Sequence, residues 1–344
     1  MSRKVKVLVI DDSLLFRETV AKSLANDAGI EVVGTAADVF IARDKIIDLE
    51  PDVLTLDVEM PRMNGIDFLK KLMPQYPLPV VMVSAVSDHV FDALNAGAVD
   101  FVTKPDIKGQ RSLDSFINEL IIKIKIASMA KVGHLKKDYV SERFAGSVGA
   151  RSDSPIIAIG ASTGGTEAIY EIIRALPRDM PGVVVVQHMP AVFTAMYAQR
   201  LNNSCPMEVK EARSGDVILP GKVFIAPGGE EHMRINKKGS NYIVECIKGE
   251  KVNGHCPSVD VLFNSVADKA GAHAIGVILT GMGYDGAKGL LNMKKAGAKT
   301  IGQDEQSSVV YGMPKVAYDI GAVSKQIALK NIPQLLYSII VGKA

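Results

Sequence analysis

The chain has 344 residues, 47% hydrophobic and 23% charged, which excludes wholesale disorder and exceeds the usual reach of one hydrophobic core. Forty Lys and Arg against thirty-eight Asp and Glu leave a net charge of +2, which weighs against a protein devoted to nucleic acid. Three cysteines, with no C-x-x-C pair, argue against a disulfide framework or a Cys-rich zinc site and for a reducing, cytoplasmic setting.

No run of eighteen apolar residues and no signal-like start is present, so a soluble protein without membrane insertion is expected. The charge is unevenly spread. Residues 1–120 carry thirteen Lys/Arg and nineteen Asp/Glu, residues 121–151 seven and two, and residues 152–344 twenty and seventeen. The basic middle stretch, with Lys136, Lys137, Gly146, Gly149 and Arg151, has the composition of a solvated linker. The expected division is therefore a domain over 1–125, a linker over 126–151 and a second domain over 152–344.

In chain order, Val5–Ile10 is a continuous apolar run that fits a strand buried on both faces. Ser13 then stands at an N-cap position before a helix over Leu14–Asn26. The alternation continues with strands at Glu31–Thr35, Val53–Asp57, Val80–Ser84 and Phe101–Thr103. Helices are expected at Val39–Leu49, Ile66–Met73, Val90–Ala96 and Leu113–Ile126. Five strands, each followed by a helix, predict a doubly wound parallel α/β sheet, whose sites form beyond the carboxyl ends of its strands.

Those ends carry Asp11 and Asp12, Asp57, Ser84 and Lys104. Converging carboxylates repel one another unless a cation joins them, and hard oxygen donors suit Mg²⁺. A carboxylate is also a nucleophile toward phosphorus, and Lys104 and Ser84 are the types that bind acyl-phosphate oxygens. Any single strand-end Asp reads better as a helix cap; the three acids, Ser84 and Lys104 taken together do not. With Met60-Pro-Arg-Met-Asn-Gly65 and Pro105 added, residues 3–125 resemble the response-regulator receiver family, a flavodoxin-like fold. The resemblance implies phosphorylation of Asp57 by a histidine kinase and Mg²⁺ held by Asp12, Asp57 and the Glu59 carbonyl, with Asp11 in the same pocket. It also implies phosphoryl sensing by Ser84 and Lys104. Phe101 stands where many receivers have a tyrosine, so a switch through that hydroxyl is not expected, and a buried ring is compatible with the sequence.

The second domain opens with a strand at Ile156–Ile159 leading into Gly160-Ala-Ser-Thr-Gly-Gly165 and a helix over Glu167–Leu176. The Gly-x-Ser-x-Gly string at Ser162 fits a nucleophile on a sharp strand-to-helix turn; a serine capping that helix is the plain alternative. Val183–Gln187 is the next strand, with His188 just past its end. Neighbouring strands lie about 4.8 Å apart, so if these two pair in parallel, Ser162 and His188 emerge at one edge within contact reach. Ile275–Thr280 is a further strand, followed by Asp285 in Gly281-Met-Gly-Tyr-Asp-Gly286. Serine, histidine and aspartate at strand ends supply nucleophile, base and orienter for acyl transfer. Their chain order differs from that of α/β-hydrolases, so that fold is not assigned.

The last loop also fits a Gly-x-Gly-x-x-Gly dinucleotide fingerprint, with a helix over Ala287–Ala296, a strand over Lys299–Gln303 and Asp304 at the ribose position. That reading leaves Ser162 and His188 unexplained and lacks a complete second half after the motif. Residues 222–229 read as a strand, Met233–Asn236 and Asn241–Ile247 as an antiparallel hairpin, and Ser258 as the N-cap of a helix over Val259–Ala270. His255 beside Cys256 suggests a Cys–His nucleophile, although adjacent residues need not face one another. Metal binding has little support there, with no further ligand cluster nearby.

Together, Gly160–Gly165, Gln187-His-Met-Pro190, Val223–Gly229, Pro257-Ser-Val-Asp260, Leu279–Gly286, Gly302-Gln-Asp304 and Tyr311-Gly-Met-Pro314 resemble the CheB-type methylesterase family. The resemblance implies a Ser162–His188–Asp285 triad that hydrolyses glutamate methyl esters on chemotaxis receptors. It also implies deamidation of receptor glutamines and control by the receiver. Backbone N–H groups near Thr163 or Met282 would form the oxyanion hole, no metal or cofactor would serve the esterase site, and Asp304 would be structural. The reading outside this class is a response regulator with a non-catalytic nucleotide- or DNA-binding output domain. A near-neutral second domain with no compact helix-turn-helix weighs against it.

Overall fold

The computed structural model describes residues 3–85, 89–105, 112–132, 147–150 and 154–342. The central part of the expected linker, including Lys136, Lys137, Gly146 and Arg151, lies outside them. The chain divides into two compact units, Met1–Lys136 and Lys137–Ala344.

In the first unit, strands β1 (Val5–Ile10), β2 (Ile30–Ala36), β3 (Val53–Asp57), β4 (Val80–Ser84) and β5 (Asp100–Thr103) alternate with helices α1 (Leu14–Ala25), α2 (Val39–Leu49), α3 (Gly65–Leu72), α4 (Val90–Ala96) and α5 (Leu113–Ala127). The sheet is parallel throughout, in the order β2-β1-β3-β4-β5. Successive strands leave β1 on opposite sides, which opens a switch point between the ends of β1 and β3. Apolar side chains cover both faces of the central strands: Val7–Ile10 and Val80–Val83 are buried, and Leu24, Phe116 and Leu120 pack against the sheet. Ser13 caps α1 as predicted, its Oγ accepting from Phe16 N at 3.4 Å.

The second unit is built on β6 (Ile156–Ala161), α6 (Gly165–Ala175), β7 (Val183–Gln187), α7 (Ala191–Ser204), β8 (Glu208–Glu211) and β9 (Lys222–Ile225). There follow β10 (Glu231–Lys238), β11 (Asn241–Lys248), α8 (Val259–Lys269), β12 (Ala274–Ile278), α9 (Ala287–Lys295), β13 (Lys299–Gln303), α10 (Met313–Asp319), β14 (Lys325–Ile327) and α11 (Ile332–Ile340). The main sheet is parallel, ordered β14-β13-β12-β6-β7-β9-β8, and β10 pairs with β11 as a separate antiparallel hairpin. The switch point here lies at β6, flanked by β7 on one side and β12 on the other.

Three local expectations change. Helix α6 starts at Gly165 rather than Glu167, because Gly164 adopts φ 77° and takes the cap position that glycine fills without strain. Strand β12 ends at Ile278, two residues short of the predicted Thr280, whose N–H leaves the ladder for the Gln303 side chain at 2.8 Å. Ser258 stands at the N-cap of α8 but makes no cap bond with its hydroxyl, which is drawn to Asp285 instead. The end of the expected spacer is also anchored: Ser147 Oγ, Val148 N and Gly149 N all donate to Asp179 at 2.5–3.1 Å.

Among the described residues, no helix is long and apolar enough to cross a membrane. The second core centres on α8, where Phe263 is fully buried beside Gly160 of β6 and Gly289 of α9. Replacing Phe263→Ala empties a site that two glycines have been shaped to fit, and a loss of about 3–5 kcal/mol is expected. Far-UV circular dichroism during urea unfolding is the check, since the chain has no tryptophan.

Candidate active site

In the first unit the strand-end acids converge. Carboxylate oxygens of Asp11, Asp12 and Asp57 lie within 4.8 Å of one another, Asp11 and Asp57 buried and Asp12 exposed. Lys104 from the end of β5 places Nζ 2.7 Å from Asp11 Oδ2 and 2.6 Å from Asp57 Oδ2. Ser84 is buried at the end of β4, and its carbonyl accepts from Lys104 N at 2.9 Å. Glu59 is exposed, and its N–H points back to Asp57 Oδ1 at 3.3 Å. Gly65 is required behind this pocket: a Cβ there would lie 2.0 Å from the Asp57 carbonyl oxygen. A cavity of about 400 Å³ opens beside Asp12 and Glu59, walled by Met60, Pro61 and Asn64.

Burial pushes the Asp57 carboxyl up to about 6; Lys104 opposes this and Asp11 adds to it. One lysine therefore leaves the trio short of positive charge. That shortage, with the all-oxygen donor set, fits a hard divalent cation such as Mg²⁺. Arg17, which the motifs did not single out, also supports the pocket, its Nη1 donating to the Asp11 carbonyl at 2.6 Å. Phe101 is buried, with Lys123 Nζ 4.9 Å from its ring centroid.

In the second unit β6 and β7 pair in parallel, Ala161 opposite Gln187, so Ser162 and His188 leave at neighbouring strand ends. His188 N donates to the Ala161 carbonyl at 3.1 Å, and Gln187 Nε2 grips the Ser162 carbonyl at 2.9 Å. Ser162 N in turn donates to the Thr280 carbonyl at 3.0 Å, tying the turn to the loop that follows β12. Gly281 of that loop lies directly over the serine, where a Cβ would come 2.6 Å from Ser162 Cβ. Ser162 does not cap α6, whose cap position belongs to Gly164.

That loop brings Asp285 to His188, Nε2 donating to Oδ2 at 2.8 Å. Asp285 is 2% exposed, yet it collects further donors. Asn253 Nδ2 at 2.8 Å, Ser258 Oγ at 2.7 Å and Asp260 N at 3.2 Å reach Oδ1, and Val259 N at 2.7 Å reaches Oδ2. Two of these are the first amides of α8, so the carboxylate serves as that helix's cap from outside. Burial opposes its ionisation, but hydrogen bonds from His188, Asn253 and Ser258 outweigh it and hold the carboxyl well below the usual range. Nδ1 of His188 is buried with no hydrogen-bond partner among the described residues.

The proposed oxyanion positions flank the serine in sequence and in the covering loop: Thr163 is buried, while Met282 is 39% exposed. Asp304 binds Ser307 N and Oγ at 2.9 and 2.6 Å. Two glycines of that loop, Gly281 and Gly286, serve packing, for a Cβ at Gly286 would lie 2.4 Å from Val259 Cγ1, whereas Gly283, at φ 91°, has open space around it. His255 does not face Cys256 as a pair; its ring stacks on His188, centroids 3.7 Å apart.

The model of the CheB methylesterase family matches residues 157–336, spanning all three of these strand ends. The chain belongs to that family. A response regulator receiver domain model matches residues 7–112. The protein-glutamate methylesterase/protein-glutamine glutaminase 2 of Syntrophomonas wolfei is 62% identical, with 98% of each chain covered. The protein-glutamate methylesterase/protein-glutamine glutaminase of Syntrophotalea carbinolica is 55% identical, with 96% of each covered. The crystal structure of the Thermotoga maritima CheB methylesterase catalytic domain is 37% identical, with a TM-score of 0.53. It covers 54% of this chain and 98% of its own.

The raised Asp57 carboxyl has a consequence for stability. An acid whose folded pKa lies above its unfolded value binds its proton more tightly in the native state, so the native state is favoured below about pH 4 and loses that advantage as pH rises through 6. Without divalent cations, Asp57→Asn is therefore expected to stabilise the first unit at pH 7.5 by on the order of 1–2 kcal/mol. At pH 4 the gain should vanish. Urea unfolding at the two pH values measures it.

Proposed function

We propose that this chain is a phosphorylation-controlled hydrolase that removes methyl esters from glutamate side chains of chemotaxis receptors and deamidates receptor glutamines. The observation that carries the reading is the His188–Asp285 hydrogen bond set over the Ser162 turn at the β6 switch point. Family membership and the names of full-length relatives support the same substrate class.

In this mechanism His188 Nδ1, the imidazole nitrogen with no hydrogen-bond partner among the described residues, takes the proton of Ser162 Oγ as the hydroxyl attacks the ester carbonyl. Asp285, ionised and held by five donors, keeps the Nε2–H tautomer and stabilises the imidazolium that forms. Amides at Thr163 or Met282 donate to the tetrahedral oxyanion. His188 then protonates the departing methoxide, methanol leaves, and water repeats the sequence on the acyl-serine to release glutamate. With glutamine the same steps expel ammonia.

In the receiver, Asp57 accepts a phosphoryl group from a histidine kinase, with Ser84 and Lys104 binding its oxygens. Asp11, Asp12, Asp57 and the Glu59 carbonyl would hold Mg²⁺, which supplies charge neutralisation for the phosphoryl oxygens. The unphosphorylated receiver restrains the esterase, and phosphorylation of Asp57 relieves the restraint.

Methanol release from methylated receptor is the assay. Ser162→Ala should lower kcat by about 10³-fold or more, and Asp285→Asn by a similar order, because the amide favours the wrong tautomer. Undiminished release by Ser162→Ala removes the serine from the mechanism. Treatment with a small-molecule phosphodonor and Mg²⁺ should raise wild-type activity and leave Asp57→Asn unchanged; equal activation of both would detach Asp57 from the control.

A further inference from the structure

The loop joining β11 to α8 brings to the site a second imidazole that the Ser162–His188–Asp285 set does not use. His255 lies face to face with His188, the ring centroids 3.7 Å apart and the planes 8° from parallel. Its loop is fixed rather than draped. Val252 and His255 exchange two backbone hydrogen bonds at 3.0 Å, and Asn253, at φ 54°, sends its amide to both Asp285 and Asp260 at 2.8 and 2.7 Å.

A single hydrogen bond from Nε2 to Asp285 fixes one point of the His188 ring and leaves the ring free to rock about that contact. A flat partner against its face removes the remaining freedom. Burial, helped by His188 and Lys251 and opposed by Asp285, pushes His255 down to about 4. The second ring is therefore uncharged at neutral pH and does not repel an imidazolium on His188. The charged and titratable groups facing the pair are Asp285 from the loop after β12 and Lys251 from the His255 loop itself, with Asp260 behind Asp285.

We propose that His255 is a positioning residue for the catalytic base: its stacked ring fixes the plane of His188, so that with Nε2 on Asp285 the Nδ1 edge stays available to Ser162. This rests on the triad reading of the preceding subsection. It gives the β11–α8 loop one task carried by two residues, Asn253 orienting the acid and His255 the base.

The test uses the full chain with His255→Ala, which removes the ring, and His255→Phe, which keeps a flat one. His255→Ala should lower kcat about 10–100-fold with KM within about twofold, the scale expected for a misoriented base. His255→Phe should recover kcat to within about threefold of wild type. Imidazole ¹³C relaxation provides a readout independent of turnover: the His188 ring should be rigid in wild type and His255→Phe and should rock about its Asp285 contact in His255→Ala. A His255→Ala enzyme with unchanged kcat, or with a His188 ring as rigid as in wild type, overturns the proposal. So does a change confined to KM, which would place His255 against the substrate. Activity surviving in Ser162→Ala overturns the triad reading itself, whereas an inactive Ser162→Ala beside a fully active His255→Ala sinks the stacking role alone.

Discussion

The β6 switch point of the second unit depends on one buried anion. An isolated carboxylate in a protein interior costs several kcal/mol, and Asp285 is tolerated only because five donors converge on it. Each of those donors is thereby placed. Val259 N fixes the start of α8, and the Val259 side chain then fills the space left by Gly160 and Gly286. Ser258 is diverted from capping its own helix, and His188 is committed to a tautomer with its proton on Nε2. The packing of a helix against the central strand and the protonation of the base are thus consequences of one electrostatic requirement.

Both units place their acids at a switch point of a parallel sheet, but they treat the charge oppositely. Asp57 has neighbouring acids and one lysine, and burial leaves its carboxyl raised. Asp285 has donors in excess, and its carboxyl is lowered. A carboxylate short of positive charge attracts a cation and, with it, the phosphoryl group that cation accompanies. A carboxylate surrounded by donors stays ionised through a reaction cycle in which the adjacent imidazole gains and loses a proton. The same side chain on the same kind of scaffold is suited to two chemistries by its count of partners.

Much of this was legible in the sequence. Buried parallel strands announce themselves as apolar runs, and their ends are punctuated by the polar or glycine residues that form sites; Asp11, Asp57, Ser162, His188 and Asp285 were all readable that way. Short polar edge strands such as Glu208–Glu211 and Lys325–Ile327 carry no such run. The supporting shell was harder for a different reason. Gln187 and Gln303 look like ordinary strand-end residues, and only the fold reveals that their side chains hold the Ser162 and Thr280 backbones. Asn253 meets Asp285 across 32 residues of sequence, and His255 meets His188 across an even longer separation. Local spacing holds no trace of such pairs, although a buried amide or histidine beside a motif is a fair prompt to look for one.

The glycine pattern that imitates a dinucleotide fingerprint has a geometric origin in strand order. His188 ends β7 and Asp285 follows β12, with β6 between them. Strands two apart in a sheet are separated by roughly 9.6 Å, yet the two side chains meet at 2.8 Å. The loop after β12 must therefore arch across the end of β6, over the serine itself. Only a residue without a side chain passes there, because at Gly281 a Cβ would strike Ser162. Gly286 must next admit Val259 as the chain turns down into α9. The motif thus records the passage of Asp285 over Ser162, which also accounts for a chain order of Ser, His, Asp: the three residues meet at three adjacent strand ends, and the topology alone decides the order in which the chain visits them.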